Sequence, residues 1–317
     1  MRSRYPVLAL TVGLMVAAGG VGSAYAQQPS ADAPGGAGSS SAAPRLIDDT
    51  SGDPLIAGAG DIACPGGSSI TPTGCHHRAT ASLLAGADKV LTMGDNQYED
   101  GALRDYVAAY DPTWGQHKSI TAPVPGNHEY HQSGAAGYFD YFGTRAGPRG
   151  KGYYSYNLRA WHLVALNSSV PMREGSPQNN WLEQDLAANR AACTLTYFHH
   201  PRYSAGKYAP GIPSVKPLWT DMLADRVDVT LAGHDHQYQR WTAMGNAGTA
   251  SAAGVRQFIV GTGGRSHYGI TTSPAGLQKA HSTSFGVLRM VLHAGSYDWE
   301  FAAEDGTVKD SGTARCV

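Results

Sequence analysis

Lys89-Val90-Leu91-Thr92-Met93-Gly94-Asp95-Asn96-Gln97-Tyr98 is the stretch on which the fold turns. Five mostly apolar residues run into a glycine and then into a carboxylate, an amide and a phenol. A short apolar run closed by a polar turn predicts a buried strand that ends at a loop. The same texture recurs at 55–61, 122–127, 162–167, 194–199 and 227–233, each closing on a polar or histidine-bearing turn. Helical patterns lie between them at about 77–84, 103–110, 181–190 and 217–225. Strand, polar tip and helix in alternation predict an α/β fold. Past Gly233 the chain turns mostly to strands, at 257–261, 285–293 and 297–303, the last two joined by Ala294-Gly295-Ser296.

Composition agrees with a loop-rich globular chain. Of 317 residues only 15% are charged and 42% are apolar, with 40 glycines. Charged residues usually reach about 25% and glycine about 7%. Lys plus Arg is 24 against 25 Asp plus Glu. With no basic field to collect phosphate backbones, bulk nucleic acid is excluded as a partner.

The first 26 residues read as an address. Arg2 and Arg4 form a positive start, 7–21 is apolar and small, and Ala24-Tyr25-Ala26 supplies a small-x-small cleavage pattern. A membrane anchor is the competing reading, but this Gly- and Ala-rich run falls short of the ~20 residues needed to span. Cleavage after Ala26, export to the extracellular space and no membrane span in the mature chain are therefore expected. Removal of the two arginines takes the formal net charge from -1 to -3. Residues 27–44, QQPSADAPGGAGSSSAAP, have the composition of a disordered linker. The catalytic domain is expected over 45–317.

Cys64, Cys75, Cys193 and Cys316 all survive that cleavage, and an oxidising compartment favours their pairing. Three connectivities are possible. The turn-rich segment holding Pro65, Gly66, Gly67 and Pro72 favours Cys64 with Cys75, which leaves Cys193 with Cys316. A cysteine zinc site is the weaker reading because no C-x-x-C occurs.

The strand tips carry the chemistry. They read Gly60-Asp61-Ile62-Ala63, Gly94-Asp95-Asn96-Gln97-Tyr98, Gly126-Asn127-His128-Glu129, Phe198-His199-His200-Pro201 and Gly233-His234-Asp235-His236. In open α/β sheets, ligands bind outside the carboxyl ends of the strands. Carboxylate, amide and imidazole groups delivered to one rim suit Zn, Fe or Mn rather than Ca.

Taken together, these five blocks resemble the calcineurin-like metallophosphoesterases and, within them, the purple acid phosphatase branch. The resemblance covers roughly residues 55–241, with the blocks in family order. It implies a four-layer α/β/β/α sandwich. The broader family opens with Asp-x-His, whereas this chain has Ala63 at the third position. The purple branch supplies a tyrosine from Gly-Asp-x-x-Tyr instead, and Tyr98 stands where that pattern requires. By motif, the resemblance assigns Asp61, Asp95, Tyr98 and His236 to one metal and Asp95, Asn127, His199 and His234 to a second. Asp95 would bridge the two. A phenol ligates well near neutral pH only beside a strongly acidic ion, so Fe(III) is expected at the first position, with Zn, Fe or Mn at the second.

Two such ions activate water as a metal-bound hydroxide and clamp phosphate oxygens during in-line attack. The family places the histidine of Gly-Asn-His beside substrate, which makes His128 the expected general acid or transition-state donor. The competing role for His128 is orientation of Asn127. The expected activity is hydrolysis of small phosphomonoesters with release of inorganic phosphate. A phosphodiesterase acting on nucleotide or glycerophospholipid-type esters is the alternative. An inert binding module would need ligands missing, and both quartets are complete.

Other positions are expected to matter less. His200 is expected to face away from the site if the strand pleat persists. His131, Tyr203 and Lys207 are candidates for the pocket wall. Plant members carry phosphate-binding histidines nine or ten residues past the ligand matching His199, where this chain has Tyr208 and Ala209. Substrate contacts must therefore differ. Glu129 and Asp235 are expected behind the ligands or on the surface. Asp48, Asp49, His76, His77, His267, His281 and His293 have no ligand partner at suitable spacing.

Overall fold

The computed structural model describes residues 46–47 and 51–317. The expected signal at 1–26, the linker at 27–44 and the pair Asp48 and Asp49 lie outside the described residues.

Two mixed sheets organise the chain. The first contains β1 (Leu55–Ala59), β2 (Lys89–Met93), β3 (Thr121–Val124), β11 (Gly286–Leu292), β12 (Ser296–Ala303) and β13 (Val308–Arg315). Its order is β13-β12-β11-β1-β2-β3. The second contains β4 (Tyr154–Leu158), β5 (Trp161–Ala165), β6 (Cys193–Tyr197), β7 (Val229–Ala232), β8 (Tyr238–Met244), β9 (Val255–Val260) and β10 (Leu277–His281). Its order is β10-β8-β9-β7-β6-β5-β4. Strands β1, β2 and β3 are parallel, as are β5, β6, β7 and β9, so within each set the carboxyl ends open on one edge.

Side-chain alternation sorts each strand between two cores. On β5 and β6, Trp161, Leu163, Ala165, Leu195 and Tyr197 join the cluster that also holds Val90, Val124 and Val287 of the first sheet. Val164, Leu166 and Phe198 face the other way, toward Leu182, Leu186, Leu218 and Trp219 of helices α4 (Pro177–Ala188) and α5 (Lys216–Ala224). The first sheet is covered by α1 (His77–Ser82), by α2 (Leu103–Asp105) with its π-helical continuation Tyr106–Tyr110, and by α3 (Ala136–Phe142). This is the α/β/β/α layering the resemblance implies.

The differences from expectation have local causes. Helix α4 starts four residues before 181 because Ser176 caps it, accepting the Asn179 N–H at 3.3 Å, with Pro177 in the first turn. Strands β4, β10 and β13 escape a pattern reading because each is the edge of its sheet. These three carry polar side chains and no continuous apolar run, unlike the buried edge strand β3. Both favoured disulfides are present, Cys64–Cys75 and Cys193–Cys316, with Cα separations of 5.4 and 5.6 Å.

The second disulfide closes a separation of 123 residues, joining the start of β6 to the segment after β13. A loop of that size confers about 4 to 5 kcal/mol in the chain-entropy model. Paired Cys193→Ser and Cys316→Ser substitution should therefore lower the unfolding free energy obtained from denaturant titration by that amount, and with it the midpoint. An unchanged midpoint would show that the crosslink constrains nothing in the unfolded chain.

Candidate metal centre

Three of the tip residues adopt backbone conformations that L-residues avoid. Asp61, Asp95 and His234 have φ of 58°, 47° and 68°. Such conformations cost of order 1–3 kcal/mol each and cluster at functional sites. They fold the chain back at the ends of β1, β2 and β7, so that side chains from different strands meet. Gly94, with φ of 77°, has no room for a side chain, since a Cβ there would lie 2.7 Å from the His199 ring nitrogen Nδ1.

The seven expected ligands come together as two overlapping groups. The Tyr98 hydroxyl lies 2.9 Å from Asp61 Oδ1, 3.0 Å from Asp95 Oδ2 and 3.1 Å from His236 Nε2. His199 Nε2 lies 3.2 Å from the same Asp95 Oδ2, 3.1 Å from Asn127 Oδ1 and 3.2 Å from His234 Nδ1. Asp95 Oδ2 belongs to both groups. Donor atoms spaced this way match the edges of a coordination shell with bonds of roughly 2.1 Å.

Proton placement supports the same fit. His199 Nδ1 donates to the Met93 carbonyl at 2.8 Å, which leaves the Nε2 lone pair free to ligate. His236 is oriented likewise through Nδ1 to Ser266 Oγ at 2.8 Å. Asp61 and Asp95 are buried, so their two negative charges need a cation. With protons alone, burial lowers the His199 pKa but Asp95 outweighs it and raises it to about 9. Burial, then the Asp61 and Asp95 carboxylates, push the Tyr98 phenol well above its ordinary value. Only a strongly acidic ion in contact with that oxygen reverses such a shift.

Glu129 lies directly beneath. Its Oε2 accepts the N–H groups of Gly126 and Asp95 at 2.6 and 3.0 Å. Its Oε1 accepts those of Asn96 and Gln97 at 2.8 and 3.2 Å and the Tyr106 hydroxyl at 3.0 Å. Burial and then Asp95 raise its pKa, while the Gly126 and Gln97 N–H groups pull it back. Asp235 is a second buried brace, accepting from the Ser204 hydroxyl and, at 2.7 Å, from Gln237 Nε2.

Around the ligands stands a wall that the sequence only partly reveals. His128 Nδ1 donates to the Glu99 carbonyl at 2.6 Å, which turns Nε2 inward, 3.9 Å from Asp95 Oδ2. His131 bonds the same carbonyl at 3.1 Å. Tyr208 stacks on His234 at 4.0 Å and Tyr268 on His236 at 4.1 Å, with Lys207 Nζ 4.1 Å from the Tyr268 ring centre. Arg265 lies over the Tyr98 ring and pairs with Glu99 at 2.5 Å. Arg265, Ser266 and Tyr268 fall in the turn after β9, whose glycine-rich tip Gly261-Thr262-Gly263-Gly264 was the available signal.

Two expectations about the wall need correcting. His200 does not face away: β6 ends at Tyr197, the pleat stops, and the His200 ring lies 4.4 Å from His234 with Nδ1 on Ser168. Tyr203 does not line the centre; its hydroxyl bonds the Gly245 carbonyl and its ring packs on Trp219 and Trp241.

A family model for calcineurin-like phosphoesterases matches residues 56–238, more than half of the chain. The chain belongs to that family. Within it, purple acid phosphatase 21 of Arabidopsis thaliana is 29% identical over 151 residues, covering 44% of this chain and 34% of the relative. Purple acid phosphatase 22 of the same plant is 30% identical over 152 residues, covering 45% and 35%. The chain thus spans about a third of the length of these relatives. A purple acid phosphatase isolated from yellow lupin seeds (Lupinus luteus) superposes with a TM-score of 0.67 at 18% identity, covering 83% of this chain and 53% of that one. An anchor protein of the Plasmodium inner membrane complex shares the fold with a TM-score of 0.61 at 13% identity, covering 84% and 89%.

Glu129 ties the loop after β2 to the loop after β3. Replacing one acceptor oxygen by an amide N–H points a donor at donors, so Glu129→Gln should destabilise the fold by about 3 kcal/mol. It should also weaken metal retention, as read by calorimetry and metal analysis. Wild-type stability and metal content in that variant would remove Glu129 from its bracing role.

Proposed function

We propose that this protein is a dinuclear-metal phosphomonoesterase of the purple acid phosphatase type, exported through a signal at 1–26, with a linker at 27–44 and its catalytic domain at 45–317. One observation carries the reading: two donor quartets share Asp95 Oδ2, and one of them contains a phenol. Membership of the calcineurin-like family and the similarity to purple acid phosphatases support it. Among the described residues no helix is long and apolar enough to cross a membrane.

In this proposal Asp61, Asp95, Tyr98 and His236 hold Fe(III), and Asp95, Asn127, His199 and His234 hold Zn, Fe or Mn. When bound, such a pair of ions activates water and offsets the charge of phosphate oxygens. The protein's own residues do the rest. His128, fixed through Nδ1–H to the Glu99 carbonyl, presents Nε2 to the leaving oxygen and delivers its proton there. Lys207 adds a positive charge on the side of the wall occupied by Tyr208 and Tyr268. Its place there supports a substrate contact different from that of the plant enzymes.

A substrate pair tests the activity. The metal-loaded protein should turn over p-nitrophenyl phosphate faster than bis(p-nitrophenyl) phosphate, and the reverse order would favour the diesterase alternative. His128→Ala should keep its metals and lose roughly 10² to 10⁴ in turnover. That loss should shrink as the leaving group improves. Equal losses for good and poor leaving groups would assign His128 an orienting role.

Colour tests the metal assignment. Tyrosinate on Fe(III) absorbs visible light, whereas zinc with its filled d shell does not. Iron-loaded protein should be coloured, and Tyr98→Phe should bleach the band while iron stays bound. A band that survives in Tyr98→Phe would overturn the purple-type assignment alone.

A further inference from the structure

The loop 202–210 has two faces. One carries Lys207 and Tyr208 to the wall of the metal centre. Behind the other lies a cavity of about 530 Å³ that no step above uses. Ligand pockets commonly measure 300–1,000 Å³, with mostly apolar walls and a few placed polar groups. Tyr203, Trp241 and Met244 form its buried floor, and Pro210 and Pro274 stand at its exposed rim. The Tyr203 and Trp241 rings lie 5.9 Å apart, inclined by 37°, so a flat apolar body entering the cavity meets aromatic surface.

Arg202 supplies the polar group. Its guanidinium carbon stands 4.7 Å over the Tyr203 ring, which is its one charge-related contact among the described residues. No carboxylate pairs with it, and its Nε is buried without an acceptor. Asn246 Oδ1, on the same wall, is buried without a donor. Native proteins seldom leave such groups unmatched, and an arginine with a free fork is the residue best shaped to grip a planar carboxylate.

We propose that this cavity is a second ligand site, separate from the metal centre, that takes an aromatic carboxylate with its ring system on Tyr203 and Trp241 and its carboxylate on Arg202. The cavity volume fits one or two fused rings. The inference does not depend on the phosphatase reading.

Calorimetric titration of the metal-loaded protein with 2-naphthoate tests it, run in saturating inorganic phosphate so that the metal centre is closed to the carboxylate. One equivalent should bind, and the neutral isostere 2-naphthamide should bind about tenfold more weakly, a ratio set by the charge-assisted contact. Arg202→Gln should abolish that ratio, with the unfolding midpoint falling no further than the loss of one cation–π contact with Tyr203 allows. Ala247→Trp, at an exposed position on the rim, should block both compounds. Equal binding of acid and amide, or an acid preference that survives in Arg202→Gln, would each overturn the site. No heat with either compound would do so as well.

Discussion

One buried carboxylate holds the candidate metal centre in register. Glu129 gathers four backbone N–H groups, three from the loop after β2 and one from the loop after β3. Those loops carry Asp95, Tyr98 and Asn127, which contribute to both donor groups. A charged acceptor in a dry site binds N–H groups strongly, and its removal leaves all of them unpaired at once. The geometry above it follows: Asp95 can stand with φ of 47° because its own N–H is held from below.

The opposite half of the centre uses the same device with different chemistry. Asp235 ties the 204–208 loop to the turn after β7, and Asp61 Oδ2 accepts the His234 N–H at 2.8 Å. Asp61 thus points one oxygen at the donor cluster and uses the other to fix a neighbouring strand tip. Backbone N–H groups held by buried carboxylates thus fix the loops that carry the donor atoms.

The convergence of the candidate donors was legible because they come in short local groups. Asp95 and Tyr98 lie three residues apart, Asn127 adjoins His128, and His234 and His236 flank Asp235, so the loop that shows one candidate donor shows its companion. The strand tips were legible for the same reason: a short apolar run stops where a polar turn begins. What stayed hidden depends on pairings distant in sequence. Glu129 looks like any loop carboxylate until parallel β2 and β3 bring its acceptors under Asp95. Ser266 and Tyr268 acquire meaning only when β9 comes to lie beside β7. His200 is misplaced when the alternation of β6 is extended three residues beyond its last residue, Tyr197.

The strand order of the first sheet bears on how the chain can be made. Strand β1 carries Asp61 at its tip and sits between β2, which follows soon after, and β11, whose residues pair with it from more than two hundred positions later. Until Gly286–Leu292 has emerged from the ribosome, β1 offers an unpaired edge and the sheet is half built. The seven-stranded sheet, by contrast, draws all its strands from 154–281, so only the first sheet waits on the carboxyl-terminal strands, which complete it and bring Cys316 to Cys193.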